Sequence, residues 1–188
     1  VQTYWQACQQ TLLYEMLISI SGVGDIGSFG RFDQYTWPYL KADLEAGRIT
    51  MDQAQEITDC FFLKVNGFYN GGTGPLAVII GIGNTYLHTT VGGVDPDTGE
   101  DATNDLTYML IEAAMITKTP HFTLTLRVHE NTPAPLMEKA LECVRMGLGM
   151  PAFVSDKSYT ATFASRGCPI EFARDFVMTG CLDGNLPG

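Results

Sequence analysis

Cys181 stands in Thr179-Gly180-Cys181-Leu182-Asp183-Gly184, a short motif with glycine on both sides of it. That composition reads as a turn, and a thiol on a tight turn can approach a substrate closely. Asp183 follows two residues later and can accept or donate a proton. Both residues also have an inert reading. A buried cysteine behaves as a small hydrophobe, which is what the motif alone favours. An Asp before Gly often does no more than stabilise a turn.

Other polar groups are spaced suggestively. Gly30-Arg31-Phe32-Asp33-Gln34 places a cation and an anion around an aromatic ring. Arg31 can clamp a ligand carboxylate; an Arg–Asp network that pins this loop to the next helix suits the spacing better. Thr90-Val91-Gly92-Gly93, with Gly99, Asp101 and Asn104 downstream, suggests a phosphate cradle or a metal loop. The spacing matches neither the dinucleotide nor the P-loop fingerprint, and the acids lack calcium-loop spacing. Asp101 fits better as the cap of a helix starting near Thr103. The histidines, His88, His121 and His129, are not at metal-ligand spacing. His88, just before the Gly-Gly loop, reads as a satisfied structural histidine. The five cysteines are widely spaced without a CxxC pair, so neither a disulfide framework nor a zinc site is indicated, and no metal is expected.

These residues need a scaffold, and the 188-residue chain is long enough to build one domain or part of a larger one. Hydrophobic residues are 45% of the chain, which excludes overall disorder. Charged residues are only 17%, below the usual ~25%, as expected of a chain whose surfaces are largely covered. Against 11 Lys and Arg stand 21 Asp and Glu, a formal charge of -10. That balance argues against nucleic acid or an anionic membrane as the main partner. No apolar stretch approaches the ~20 residues of a transmembrane helix, and no signal peptide is visible. A cytoplasmic protein is the expectation. The chain begins at Val1 in what reads as a helix and stops at Leu186-Pro187-Gly188, which suggests an internal fragment.

The pattern predicts helices over Tyr4 to Ile20, Tyr35 to Ala46, Met51 to Val65, Thr103 to Thr117 and Pro135 to Met146, with another starting near Lys157. The first is expected to be mostly buried. Thr50 with Gln53 forms a capping box for the third. Strands are predicted at Tyr86 to Val91, Phe122 to Val128 and Ala152 to Val154, whereas Leu76 to Gly81 and Ala173 to Met178 suit helix or strand. Phe122, Leu124, Leu126 and Val128 alternate with Thr123, Thr125 and Arg127. Strand and helix alternate through the second half, the signature of an α/β protein with parallel strands, whose chemistry sits on loops at strand ends.

In order, several blocks together resemble one family. They are Gly30-Arg31-Phe32-Asp33-Gln34 with Trp37-Pro38-Tyr39 and Asp43-Leu44; Gly47-Arg48-Ile49-Thr50 with Ala54, Glu56 and Lys64; and Thr90-Val91-Gly92-Gly93 with Asp101 to Thr107. Pro120 with Leu126-Arg127-Val128-His129, Gly149-Met150-Pro151-Ala152 with Asp156, and Gly180-Cys181 complete the set. The chain thereby resembles the large subunit of glycyl radical enzymes, the pyruvate formate-lyase-like superfamily, over nearly its whole length. The resemblance implies a segment of a ten-stranded α/β barrel, residues 1–188 being the central part of one barrel domain. Cys181 would be the thiyl-forming cysteine. The glycine that stores the radical would lie outside this chain, because nothing here matches its Arg-Val-x-Gly-Tyr loop. No directly bound cofactor is implied, and this fragment alone would be inactive. The family also implies an activating partner, a radical S-adenosylmethionine enzyme.

The resemblance also bears on the branch. Eliminating members usually carry Gly-Cys-x-Glu, and Asp183 stands in place of that Glu. They tend to carry Gly-His-Ser before the Gly-Arg block, where this chain has Gly24-Asp25-Ile26. Pyruvate formate-lyase itself has two adjacent cysteines. These departures point to the alkylsuccinate and benzylsuccinate synthases, which add a hydrocarbon to fumarate and often have small accessory subunits. Asp25, Ile26 and Leu182 would then line the substrate pocket, with the carboxylate clamp outside this chain. The alternative is a decarboxylase or a C–O, C–N or C–S eliminating lyase with Asp183 as base. A further alternative is a non-catalytic barrel paralogue.

Overall fold

The computed structural model describes residues 1–20, 27–67, 87–119, 122–180 and 182–186. Four helices come first: α1 (Tyr4–Ile20), α2 (Phe32–Tyr35), α3 (Trp37–Glu45) and α4 (Met51–Asn66). Then β1 (Leu87–Gly92), α5 (Asp105–Thr117), β2 (Phe122–Val128), α6 (Ala134–Arg145) and β3 (Ala152–Ser155) alternate. The order closes with α7 (Asp156–Ser165), α8 (Ile170–Arg174), β4 (Val177–Thr179) and β5 (Asp183–Asn185). The strand-or-helix segment over Ala173 to Met178 is thus the end of one helix and the start of one strand. Leu76 to Gly81 lies outside the described residues.

Local signals account for most boundaries. Thr50 accepts the Gln53 N–H while the Gln53 side chain accepts the Thr50 N–H, closing the expected box at the start of α4. The helix expected from Tyr35 to Ala46 instead breaks at Thr36. The Thr36 hydroxyl donates to the Phe32 carbonyl at 2.5 Å, and Pro38, which has no N–H, sits in the first turn of α3. Asp101 does not cap α5. Asn104 does, accepting the N–H groups of Leu106 and Thr107, while Asp101 accepts from the Thr103 hydroxyl and His129 Nε2. Both residue types cap well, and the one adjacent to the helix takes the position.

β1, β2 and β3 form a parallel sheet in that order. Leu87 pairs with Phe122, Thr89 with Leu124 and Val91 with Leu126, so these side chains share one face. That face packs on the helices, in one core with Phe61 and Phe62 of α4 and Leu106 and Leu110 of α5. The opposite face carries His88, Thr90, Thr125 and Arg127, with Val154 of β3 in register with Arg127. A smaller core of Val154, Phe176 and Met178, with Tyr159 and Phe163, belongs to this second face. Polar residues of an alternating strand suggest a solvated face, yet His88, Thr90, Thr125 and Arg127 are all fully buried.

α1 is less buried than its composition suggests. Tyr4, Ala7 and Cys8 are buried, but Trp5, Leu13, Tyr14 and Leu17 are exposed. Its apolar residues surround the helix, and one stripe alone faces α3 and α4. Among the described residues no helix is long and apolar enough to cross a membrane.

Candidate active site

The stretch before Cys181 lies across the polar face of the sheet and is held there through its main chain. Arg127 Nη2 donates to the Arg174 carbonyl at 2.6 Å, and Nη1 donates to the Phe176 carbonyl at 2.8 Å. The Met178 N–H donates to Thr90 Oγ1 at 2.9 Å, and the Met178 carbonyl accepts from Ser28 Oγ at 2.8 Å. Nδ1 of His88 is 2.9 Å from the Gly180 carbonyl oxygen. The contacts fall on residues 174, 176, 178 and 180, the period of an extended chain. Gly180 turns with φ +53°, which glycine adopts without steric cost, and the next residue is Cys181.

Behind this stretch lies a buried ionic cluster. Arg127 Nε donates to Asp156 Oδ1 at 2.5 Å, and its guanidinium sits 3.9 Å from the centre of the Phe176 ring. The other Asp156 oxygen accepts the Val94 N–H at 2.9 Å. The C-terminal end of β1 is gripped from the other side. Arg31 Nη2 donates to the Gly92 and Val94 carbonyls at 3.1 and 2.9 Å, and Nη1 pairs with Asp175 at 3.1 Å. Asp33 Oδ2 accepts the Gly92 N–H at 2.8 Å and the Thr107 hydroxyl at 2.6 Å. Burial pushes the Asp33 carboxyl up, against the pull of those two donors and the Arg31 charge.

The Arg31–Asp33 block is therefore structural. The pairing differs from expectation, because the anion that Arg31 meets is Asp175 rather than Asp33. Both charges converge on Gly92 to Val94. The Gly-Gly pair serves packing rather than phosphate: a Cβ on Gly93, at φ +81°, would lie 2.6 Å from Arg127 Nε. His88 is structurally satisfied as expected, with Nδ1 on Gly180 and Nε2 2.6 Å from Thr125 Oγ1.

Of the predicted site residues, Cys181, Asp25 and Ile26 lie outside the described residues. Leu182 and Asp183 are described, and both are exposed. β4 and β5 pair antiparallel, with Thr179 opposite Asp183. Leu182 has φ +146°, which non-glycine residues rarely adopt and which recurs at functional sites. Thr90, Thr125, Arg127 and Ser28 carry the support and do not stand out as site residues in the sequence. The available signal is a run of polar residues at alternate positions of two strands in a chain otherwise poor in charge. Among the described residues no cluster of His, Cys, Asp and Glu could hold a metal ion.

The pyruvate formate lyase-like family matches residues 1–188. The chain belongs to that family of glycyl radical enzymes. It is 36% identical over 188 residues to a (2S)-3-sulfopropanediol dehydratase of Klebsiella oxytoca, covering 100% of this chain and 23% of the relative. An isethionate sulfite-lyase of Desulfovibrio desulfuricans is 33% identical over 188 residues, covering 98% of this chain and 22% of the relative. Among solved structures, the glycerol-bound B12-independent glycerol dehydratase of Clostridium butyricum superposes with a TM-score of 0.92 at 34% identity. It covers 100% of this chain and 23% of that one. The mixed α/β architecture is thus that of a segment of a glycyl radical enzyme barrel, and the chain spans about a quarter of the length of these relatives.

These glycyl radical relatives overturn the expected branch. The relatives that match along essentially the whole chain are dehydratases and a sulfite-lyase, which overturns the assignment to the alkylsuccinate and benzylsuccinate synthases. Addition to fumarate and the accessory subunits of that branch go with it. The departures at Asp183 and at Gly24-Asp25-Ile26 carry less weight than the sequence alone suggests. Asp for Glu changes reach by one methylene and leaves a carboxylate able to accept a proton.

Proposed function

We propose that the enzyme containing these residues is a glycyl radical lyase that eliminates a leaving group from a small substrate bearing an adjacent hydroxyl group. The observation that carries this reading is the likeness of the whole chain to eliminating enzymes, together with a thiol and a carboxylate two residues apart, Cys181 and Asp183.

The steps balance with the groups this chain supplies. A thiyl on Cys181 takes a hydrogen atom from the hydroxyl-bearing carbon: a C–H bond breaks, an S–H bond forms and the unpaired electron moves to carbon. Asp183 takes the hydroxyl proton as general base. The electron-rich radical expels the neighbouring group with its bonding pair, as sulfite, or as water when the proton on Asp183 is passed to it. The resulting carbonyl-stabilised radical recovers the hydrogen atom from the Cys181 thiol, which restores the thiyl. A carbonyl compound and the leaving group are the products. A site closed to water protects the radicals between steps. Leu182, between the two reacting residues, would supply part of the apolar wall, with Asp25 and Ile26 facing the substrate. A stored glycyl radical on a part of the protein outside this chain supplies the first hydrogen abstraction, and a radical S-adenosylmethionine enzyme installs it.

The test is anaerobic turnover by the full-length chain after activation by such a partner. Vicinal diols and 2-hydroxyalkanesulfonates are offered separately, and carbonyl products are trapped as hydrazones for mass spectrometry. A carbonyl product with stoichiometric water or sulfite release is expected. An activated enzyme that produces a succinate adduct from a hydrocarbon and fumarate, and no carbonyl compound, would sink the reading.

A further inference from the structure

We infer that His88 is a positioning residue for Cys181, locked by Thr125 as the neutral tautomer that carries its proton on Nδ1. Covalent logic assigns the proton. A carbonyl oxygen only accepts, so the contact of 2.9 Å between Nδ1 and the Gly180 oxygen requires an N–H on Nδ1. A neutral imidazole then has a bare Nε2, and the Thr125 hydroxyl, 2.6 Å away, donates to it. The relay runs in one direction: Thr125 O–H to Nε2, then Nδ1–H to Gly180. His88 and Thr125 are both fully buried, and burial pulls the histidine below its ordinary range, against the opposing effect of the Gly180 bond.

Arg127, Arg31 and Asp33, on the elements packed around His88, have partners of their own. Arg127 is committed to Asp156 and two carbonyls, Arg31 to Asp175 and two carbonyls, and Asp33 to Gly92 and Thr107. Glu15 of α1 reaches the backbone at Gly27, whose carbonyl accepts the His88 N–H.

What the relay holds is the peptide unit shared by Gly180 and Cys181. That unit is planar, so fixing its oxygen constrains the direction in which the chain leaves toward the Cys181 Cα. A thiol that must meet one C–H bond of a bound substrate depends on such constraint. Displacement by about 1 Å costs on the order of 10²-fold in rate. The neighbouring backbone bonds, from Thr90 and Ser28, end at Met178, two residues earlier. His88 holds the carbonyl one residue before Cys181, and on the far side the Leu182 N–H donates to the Thr179 carbonyl at 3.2 Å.

Two substitutions separate positioning from space-filling. In His88→Asn the amide nitrogen can overlie Nδ1 and keep the bond to Gly180. In His88→Gln the amide reaches the Nε2 site instead and keeps the contact with Thr125. The kinetic arm rests on the reaction proposed above; a second arm does not. In the activated full-length enzyme, His88→Asn is expected to keep kcat within about 5-fold, whereas His88→Gln lowers kcat on the order of 10²-fold with KM nearly unchanged. Thr125→Ser should behave as wild type, and Thr125→Val should resemble His88→Gln. The amount of stored radical and the thermal midpoint are measured on each, so that a folding defect is seen as such. In the second arm, iodoacetamide labelling of Cys181 in the resting enzyme is followed by peptide mass spectrometry. Equal labelling rates for wild type and His88→Asn, with a several-fold change in His88→Gln, are expected. If wild type turns over no substrate, the reaction proposal fails while labelling still decides the role of His88. If Asn and Gln variants label alike, or lose kcat alike in a folded enzyme, the positioning role is overturned.

Discussion

Arg127 and Asp156 form a buried ion pair at 2.5 Å, and the two remaining guanidinium hydrogen bonds end on the stretch that leads to Cys181. Taking two charges out of water costs several kcal/mol per ion, so such a pair adds little net stability against an apolar replacement. What it adds here is direction. Nε meets the carboxylate, while the two Nη groups meet carbonyls two residues apart.

Removing one partner should therefore be severe. Arg127→Met leaves Asp156 buried without its cation and is expected to cost about 3–5 kcal/mol, read from urea unfolding midpoints of the full-length chain. Arg127→Met combined with Asp156→Leu should recover part of that loss. A single variant of wild-type stability would mean that the pair is not buried in solution.

Asp183 decides between chemistries. With the aspartate as base, Asp183→Asn should lower kcat by about 10²–10⁴-fold while the far-ultraviolet spectrum and thermal midpoint hold. Its exposed position at the start of β5 makes a folding defect an unsuitable explanation. Asp183→Glu should keep part of the activity. A fully active Asp183→Asn enzyme would remove this residue from the mechanism.

Asp33 gives a pH signature. Burial raises its carboxyl, so the folded chain holds that proton to a higher pH than the unfolded chain does. Above the unfolded value of about 3.9, and up to the raised folded value, the folded state binds more protons and the Asp33 contribution falls as pH rises. Below that window the contribution is fully present. Asp33→Asn cannot titrate, so the stability of wild type minus that of the variant should decline with rising pH across the window. Denaturant midpoints measured in a pH series check this; a flat or rising difference contradicts it.

Gly93 offers a coupling test. Its φ is +81°, and Arg127 Nε lies 2.6 Å from where a Cβ would stand, so Gly93→Ala incurs both backbone strain and a clash. A loss above about 1 kcal/mol is expected in wild type. In the Arg127→Met background the clash is relieved and the cost should shrink toward the backbone share. Additive losses in this double-mutant cycle would deny the contact.

The helix-facing half of this unit is legible in the sequence. Phe122 to Val128 reads as a strand from its alternation and is one, and Thr50 with Gln53 reads as a capping box and is one. The polar half is less legible for a physical reason. Thr125 and Arg127 at alternate positions look like the wet side of a strand, because nothing local shows that residues 174–180 return to cover them. The pairing of Arg31 with Asp175 spans 144 positions and leaves no local trace either. Cap choice between Asp101 and Asn104 turns on about one helical turn, which residue type alone does not resolve. Cys181 is singled out by glycine spacing and family likeness alone, since a thiol by itself carries no pattern, and it lies outside the described residues.

Most supports under residues 174–180 meet carbonyls and one N–H, and this eases the demand on the side chains there. The side chains read between Arg174 and Gly180 are the Phe176 ring against Arg127, the Asp175 carboxylate on Arg31 and the Thr179 hydroxyl on Asp183 and Asn185. Val177, whose side chain takes no part in these polar contacts, can change identity while the chain path persists. An enzyme lineage with such a mounting can vary side chains along this stretch without rebuilding what holds its path, a route by which one scaffold diversifies its substrates.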